Sequence, residues 1–388
     1  MSQCCAPGAP SVARRSDGVL RVVEVRRPGL VEFHITASPH ASRILPPAAQ
    51  ANEVYKRIRS LLEETGAQGV QERVFGQLAC QTEVLKERVR QLTGAEWPVS
   101  YIEGGLDRRI GIAGVHLYAV AGPACAPVCL DDHRIGTQFL CGETQHVYLS
   151  LPVGLGVSGP DEDCARAMFH QARDALAQVG CCYTDVVRTW IYIADILGWY
   201  GRFNAVRTPF YEELALMGVP GKCRVPASTG IEGTPGTGAA CCMDLLALHG
   251  RRGVLVAPLH NPMQNEAYAY GSAFARGMSV AYGGVETAYI SGTASIDEEG
   301  RTVHAGDLEG QVRRTIENIR ALIATRGFTL DDVALSNTFV KHGQDTGPVM
   351  EILAAEGGPF AEGILVAADV CRDDLLFEID GLAVRVTK

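Results

Sequence analysis

One order of elements recurs three times along this 388-residue chain, and no other feature restricts its fold as much. In the last third, apolar runs over 280–296 suggest paired strands. A helix is predicted over 307–327, because Val312, Ile316, Ile319 and Ile323 recur at helical spacing and Gly327 supplies a stop. A strand over 332–341, a short helix near 349–355 and strands over 364–370 and 375–386 complete the unit. The middle third repeats the order: strand 147–153, helix 163–179 stopped by Gly180, strand 185–193, helix 203–216, then strands opening at Pro226 and closing over 241–247. The first third gives it more faintly: strand 31–36, helix 50–65 stopped by Gly66, strand 70–78, helix 82–92. There, Pro98-Val99-Ser100-Tyr101-Ile102-Glu103-Gly104 echoes Pro226-Ala227-Ser228-Thr229-Gly230-Ile231-Glu232-Gly233. The implied fold is α/β (α+β), built from three tandem units at 18–124, 125–250 and 251–388 behind a loose tail at 1–17. Helices are expected outside, with the sheets facing a common axis.

Composition supports packed units. Hydrophobic residues make up 47% and charged residues 20%, enough for large cores. The net charge of −9 repels phosphate backbones, so no nucleic-acid partner is expected. No apolar run reaches the roughly 18 residues of a membrane span, and the N-terminus lacks the apolar stretch of a secretory signal. The 13 cysteines are odd in number and include the adjacent pairs Cys4-Cys5, Cys181-Cys182 and Cys241-Cys242. Adjacent residues point in different directions, so this is no ordinary disulfide framework, and a reducing cytoplasm is expected. Cys125, Cys129, His133, Cys141 and His146 are of zinc-binding types but lack a tight C-x-x-C spacing, so no metal is expected there. Gly154-Leu155-Gly156-Val157-Ser158-Gly159 fits a dinucleotide loop, but the parallel units such a fold needs do not follow it.

The unit order and the ending Phe377-Glu378-Ile379-Asp380-Gly381-Leu382-Ala383-Val384 resemble the Rid/YjgF family, with its chorismate-mutase-like units and an acidic closing strand. Members form trimers with clefts between subunits, so three copies in one chain would make a covalent pseudo-trimer. Over 185–388 the chain resembles the chorismatases more narrowly. The matching pieces include Arg188-Thr189-Trp190 with Tyr192, Arg202-Phe203-Asn204 with Arg207, Asn261-Pro262 with Gln264, Ser291-Gly292-Thr293-Ala294-Ser295-Ile296, and the run from Asp369 to Asp380. Met263 stands where that family carries an arginine, which bears on whether chorismate itself is the substrate.

This resemblance implies an enzyme without metal or organic cofactor that cleaves the enolpyruvyl ether of chorismate or a related cyclic carboxylate, releasing pyruvate. It would act in the cleft between the middle and last copies, as a monomer or weak homo-oligomer. Glu378 is the expected acid/base; its counterparts are Cys242 and about Val115, leaving one carboxylate among three copies. Cys371 is the second catalytic candidate and resembles the 3-hydroxybenzoate-forming subgroup. Arg202, Arg207 and Arg276 are expected to pair with substrate carboxylates, with Tyr192, Tyr268, Tyr270, Thr229, Thr293 and Ala294 lining the pocket. Two other readings stay open: a Rid-type enamine/imine hydrolase and an inactive small-molecule-binding scaffold. The arginine of the imine hydrolases would fall at Gly363 in the last copy, Ser228 in the middle and Ser100 in the first, and none is arginine.

Overall fold

The computed structural model describes residues 9–40, 45–78, 97–104, 111–151, 159–217, 224–270 and 272–387. The glycine-rich segment 154–159, apart from Gly159, and the helix expected over 82–92 lie outside the described residues.

Three mixed sheets carry the chain. The first holds β1 (Ser11–Ser16), β2 (Leu20–Arg27), β3 (Leu30–Ala37), β4 (Gln68–Gln77), β5 (Val99–Glu103) and β6 (Gly111–Ala121). The second holds β7 (Ala126–Leu130), β8 (His133–Cys141), β9 (Thr144–Leu151), β10 (Val186–Ile193), β11 (Ala227–Glu232) and β13 (Cys241–His249); the two-residue β12 (Thr234–Pro235) crosses to pair with β5. The third holds β14 (Leu255–Leu259), β15 (Gly277–Tyr282), β16 (Val285–Ala294), β17 (Val333–Val340), β18 (Ile364–Ala367) and β19 (Phe377–Val386). In each sheet a three-stranded antiparallel run is followed by a closing strand, then by a parallel pair. Ser11–Ser16, expected within a loose tail, is instead an edge strand, because every residue of it finds a backbone partner in β2.

One or two helices cover the outside of each sheet: α1 (Pro47–Thr65) on the first, α2 (Asp161–Gln178) and α3 (Ile196–Glu213) on the second, α4 (Leu308–Ala324) and α5 (Thr346–Glu356) on the third. The inner faces meet in a shared core of Phe75 and Ile102, Trp190 and Ile231, and Phe339 and Val366, two from each unit. Strands covered on both faces lose the alternation of polar and apolar residues, which is why β10 and β17 are buried along their whole length.

Register makes the threefold relation explicit. Asp380 faces Asn337, Asp244 faces Trp190 and His116 faces Arg73. Two residues earlier on each closing strand stand Glu378, Cys242 and Gly114. The first-copy counterpart of Glu378 is therefore Gly114, one residue from the expected Val115. The echo between Pro98 and Pro226 is likewise displaced. Ser100 pairs with Arg73 as Thr229 pairs with Trp190, because the first copy has one residue fewer between its proline and Ile-Glu-Gly. The contacts between units repeat accordingly: Thr229 Oγ1 donates to Asp380 (2.6 Å) and Ser100 Oγ to Asp244 (2.7 Å). At the third contact Ile364 takes this place and packs against Gly114.

Candidate active site

Glu378 sits on β19 opposite Ala294 of β16, with its side chain on the inner face. Its carboxylate lies against Gly292, where any side chain would overlap it; Thr229 of the second unit stands 3.3 Å from the same point. The group is therefore at the contact of the second and third units. It is buried, and Oε1 has no hydrogen-bond partner among the described residues. Burial and the neighbouring Asp380 charge push its pKa up to about 8, against the pull of Arg188 and Arg276.

Asp380, two residues on and on the same face, accepts hydrogen bonds from three donors: Arg188 (3.1 Å), Thr229 (2.6 Å) and Asn337 (2.9 Å). Arg188 and Thr229 come from the second unit, so this cluster ties the two units together beside Glu378. Thr229 thus serves the Asp380 hydrogen-bond network rather than open space. Asp380 was not singled out from the sequence, although its place on the face of Glu378 follows from strand alternation.

Cys371, half-buried in the segment before β19, is near enough to Glu378 for the carboxylate to matter. Burial first, and then that charge, push its thiol up to about 12, with Arg372 and Arg207 pulling the other way. It is a neutral thiol at physiological pH, not a nucleophilic thiolate. Arg207 of α3 is buried; Nη2 donates to Asn204 (2.6 Å), while Nε has no partner among the described residues. Tyr200, two helical turns back on the same face, has its hydroxyl 3.5 Å from Arg207 and bonds Ser272. Burial, then Cys371, raise the Tyr200 pKa. Arg276 is buried, with Nε on the Asn265 carbonyl. Glu378, Cys371, Arg207, Arg276 and Tyr200 thus form one polar group.

Several expected lining residues lie elsewhere. Arg202 is exposed and paired with Glu162 (2.9 Å) and Asp161 (3.5 Å) at the start of α2. Five residues from Arg207, it is rotated about 140° around the helix. Arg202→Ala is expected to leave KM within about twofold and stability within about 1 kcal/mol, as for an exposed ion pair; steady-state kinetics and urea titration check it. Thr293 pairs with Ile379 and shares its face toward α4, with its hydroxyl on the Ser291 carbonyl (2.9 Å). Tyr192 packs edge-on against Phe75, at the contact of the first and second units. Tyr268 is 41% exposed on the turn Ala267–Tyr270, and the Tyr270 side chain lies outside the described residues. Ala294 is buried opposite Glu378. Cys125, Cys129, His133, Cys141 and His146 do not bring three ligand atoms within 4.8 Å of one another among the described residues. None of these described helices is long and apolar enough to cross a membrane.

Comparison with known proteins gives a consistent picture. A family model described as "Endoribonuclease L-PSP" matches residues 274–385, the third unit. A 3-hydroxybenzoate synthase of Streptomyces hygroscopicus is 31% identical over 252 residues, 58% of this chain and 70% of that protein. A chorismatase of the same organism is 30% identical over 258 residues, 61% of this chain and 71% of its own length. A chorismatase crystal structure superposes with a TM-score of 0.63 at 22% identity, covering 81% of this chain and 93% of that one, which speaks for the fold. With three tandem units and relatives matched over some seventy per cent of their length, the chain belongs to the chorismatase branch of the Rid/YjgF superfamily.

Proposed function

We propose that the protein cleaves the enolpyruvyl ether of chorismate, or of a closely related cyclic carboxylate, at the contact of its second and third units, with Glu378 as the acid. The observation that carries this reading is the buried Glu378 carboxyl group, whose Oε1 has no partner among the described residues. A carboxyl with a pKa of about 8 holds its proton at pH 7 and can give it to the methylene carbon of an enol ether. The cation left on the ether carbon is then stabilised by the carboxylate just formed. Arg207, whose Nε has no partner among the described residues, is the cation we assign to a substrate carboxylate. Cys371 favours 3-hydroxybenzoate as the second product. That outcome consumes no net water, whereas release of a dihydroxylated diene acid consumes one.

The Rid-type imine hydrolysis is less well supported. Gly363, Ser228 and, by register, Val99 occupy the three positions where its arginine would stand. The test is incubation with chorismate, coupled detection of pyruvate and chromatography of the ring product, with Glu378→Ala as control. Absence of pyruvate from the wild-type protein would rule out chorismate.

The pKa of Glu378 fixes a pH dependence. The acid form is needed, so kcat is expected to be flat through neutrality and to fall about tenfold per unit above pH 8. Stability moves in the same direction. The folded pKa lies above the ordinary carboxyl value of about 4.5, so the native state holds the proton more tightly. This contribution is complete below about pH 4.5 and is lost as pH rises through about 8. A basic limb centred near pH 6 or below would contradict the assignment.

A further inference from the structure

We propose that a corner of the second unit, outside the cleft, binds one zinc ion through Cys181 Sγ, the Asp185 carboxylate and His249 Nδ1. The ligand atoms of these three side chains all lie within 4.8 Å of one another, and His249 Nδ1 is 2.9 Å from Asp185 Oδ2. Ligand atoms around one tetrahedral zinc, each about 2.0–2.3 Å from the ion, stand at comparable mutual distances. One thiolate, one imidazole and one carboxylate form a donor set suited to zinc rather than to calcium or magnesium. The Gln145 Oε1 atom, 3.6 Å from Cys181 Sγ, adds an oxygen at the edge of the group.

The third unit provides an internal comparison. After α2, Gly180 and Cys181 bond back to Ala177 and Leu176; after α4, Gly327 and Phe328 bond back to Ala324 and Ile323 in the same way. Asp185 then accepts the Cys182 N–H (2.9 Å), as Asp332 accepts the Thr329 N–H (2.8 Å). Leu246 faces Arg188 and Leu382 faces Leu335, each just past a bulge, so His249 and Arg385 are counterparts three residues further on. In the third unit Arg385 stacks over Phe328 at 4.7 Å, which closes that corner without a metal. In the second unit both partners of this contact are replaced, and both replacements are metal-ligating types beside the retained aspartate. Turn capping accounts for Asp185 and for its counterpart Asp332; it does not account for Cys181 together with His249.

The charges balance. Zinc binding releases the Cys181 thiol proton to solvent, so a thiolate and a carboxylate balance Zn²⁺ with no net charge. Affinity therefore rises with pH. Arg251, 3.9 Å from Asp185 Oδ1, flanks the carboxylate without occupying the oxygen that faces His249. The ion would fasten the helix-to-strand turn to the end of β13, a structural role independent of the cleavage proposed above. His249 and Cys242, the counterpart of Glu378, lie at opposite ends of that strand.

The full chain, stripped with chelator and titrated with Co²⁺, is expected to bind one equivalent. It should show visible bands of a tetrahedral site and a thiolate-to-cobalt charge-transfer band, all displaced by Zn²⁺. Cys181→Ser should abolish the charge-transfer band, and His249→Ala, at a half-exposed position, should weaken binding at least tenfold without unfolding the chain. Cys182→Ser, which alters the adjacent exposed thiol, should leave both signals unchanged. A charge-transfer band that survives in Cys181→Ser, or unchanged affinity in His249→Ala, overturns the assignment, as does the absence of a tight equivalent in the wild-type protein.

Discussion

Glu378→Ala is expected to lower kcat for pyruvate release by roughly 10²- to 10⁴-fold, the usual weight of a positioned general acid. KM should move little, since a group needed mainly as the proton leaves contributes to the transition state rather than to binding. The fold should survive. Oε1 makes no hydrogen bond among the described residues, and the space opened lies at a contact between units next to Gly292. Glu378→Gln separates proton donation from shape: it keeps the volume, removes the acid and should be as inactive as alanine. The basic limb near pH 8 should vanish from the residual activity of both variants, because the titrating group is gone. A variant that kept full kcat, or kept the limb, would remove Glu378 from the mechanism.

The repeat was legible because each unit must bury its own helix face, and the apolar spacing of α4 and α2 records that need directly. Exact correspondence between copies was not legible. A one-residue difference between Pro98 and Ile102 leaves the local sequence similar while moving Ser100 onto the place of Thr229, and only backbone pairing shows it. The site was legible in part for the same kind of reason. Glu378 stands out as a carboxylate in an apolar strand, but Arg202 and Arg207 share one motif and differ only in helical phase. Tyr200, Asn204 and Arg207 follow i, i+4 and i+7 spacing and so share a face, which would have brought Tyr200 in and left Arg202 out. Thr293 shows the limit of motif reading on a strand. It is adjacent to Ala294, and the pleat sends the two to opposite sides.

The largest expected effect on stability comes from Arg188, and it reports on catalysis as well. Arg188 and Asp380 are both fully buried and form the ion pair that joins the second unit to the third. The arginine also donates to Thr229 (2.6 Å) and stacks over Trp190, whose ring carries Arg73 as well. Burial first, and then the Arg73 charge, lower the Arg188 pKa to about 10 against the pull of Asp380. Removing the arginine leaves Asp380 buried with only Thr229 and Asn337 as donors. Arg188→Met should therefore cost about 3–5 kcal/mol, the usual penalty for stranding one partner of a buried pair. Urea denaturation measures it as a lower midpoint. Removing both charges in Arg188→Met/Asp380→Asn should restore much of the loss, because no unpaired ion remains. The same variants should move the basic limb of kcat in opposite directions. Arg188 holds the Glu378 pKa down, so its loss shifts the limb above pH 8; Asp380 holds it up, so Asp380→Asn alone shifts the limb below. A positional role without electrostatic coupling would change stability and leave the limb in place, and that outcome would separate the interface cluster from the chemistry of Glu378.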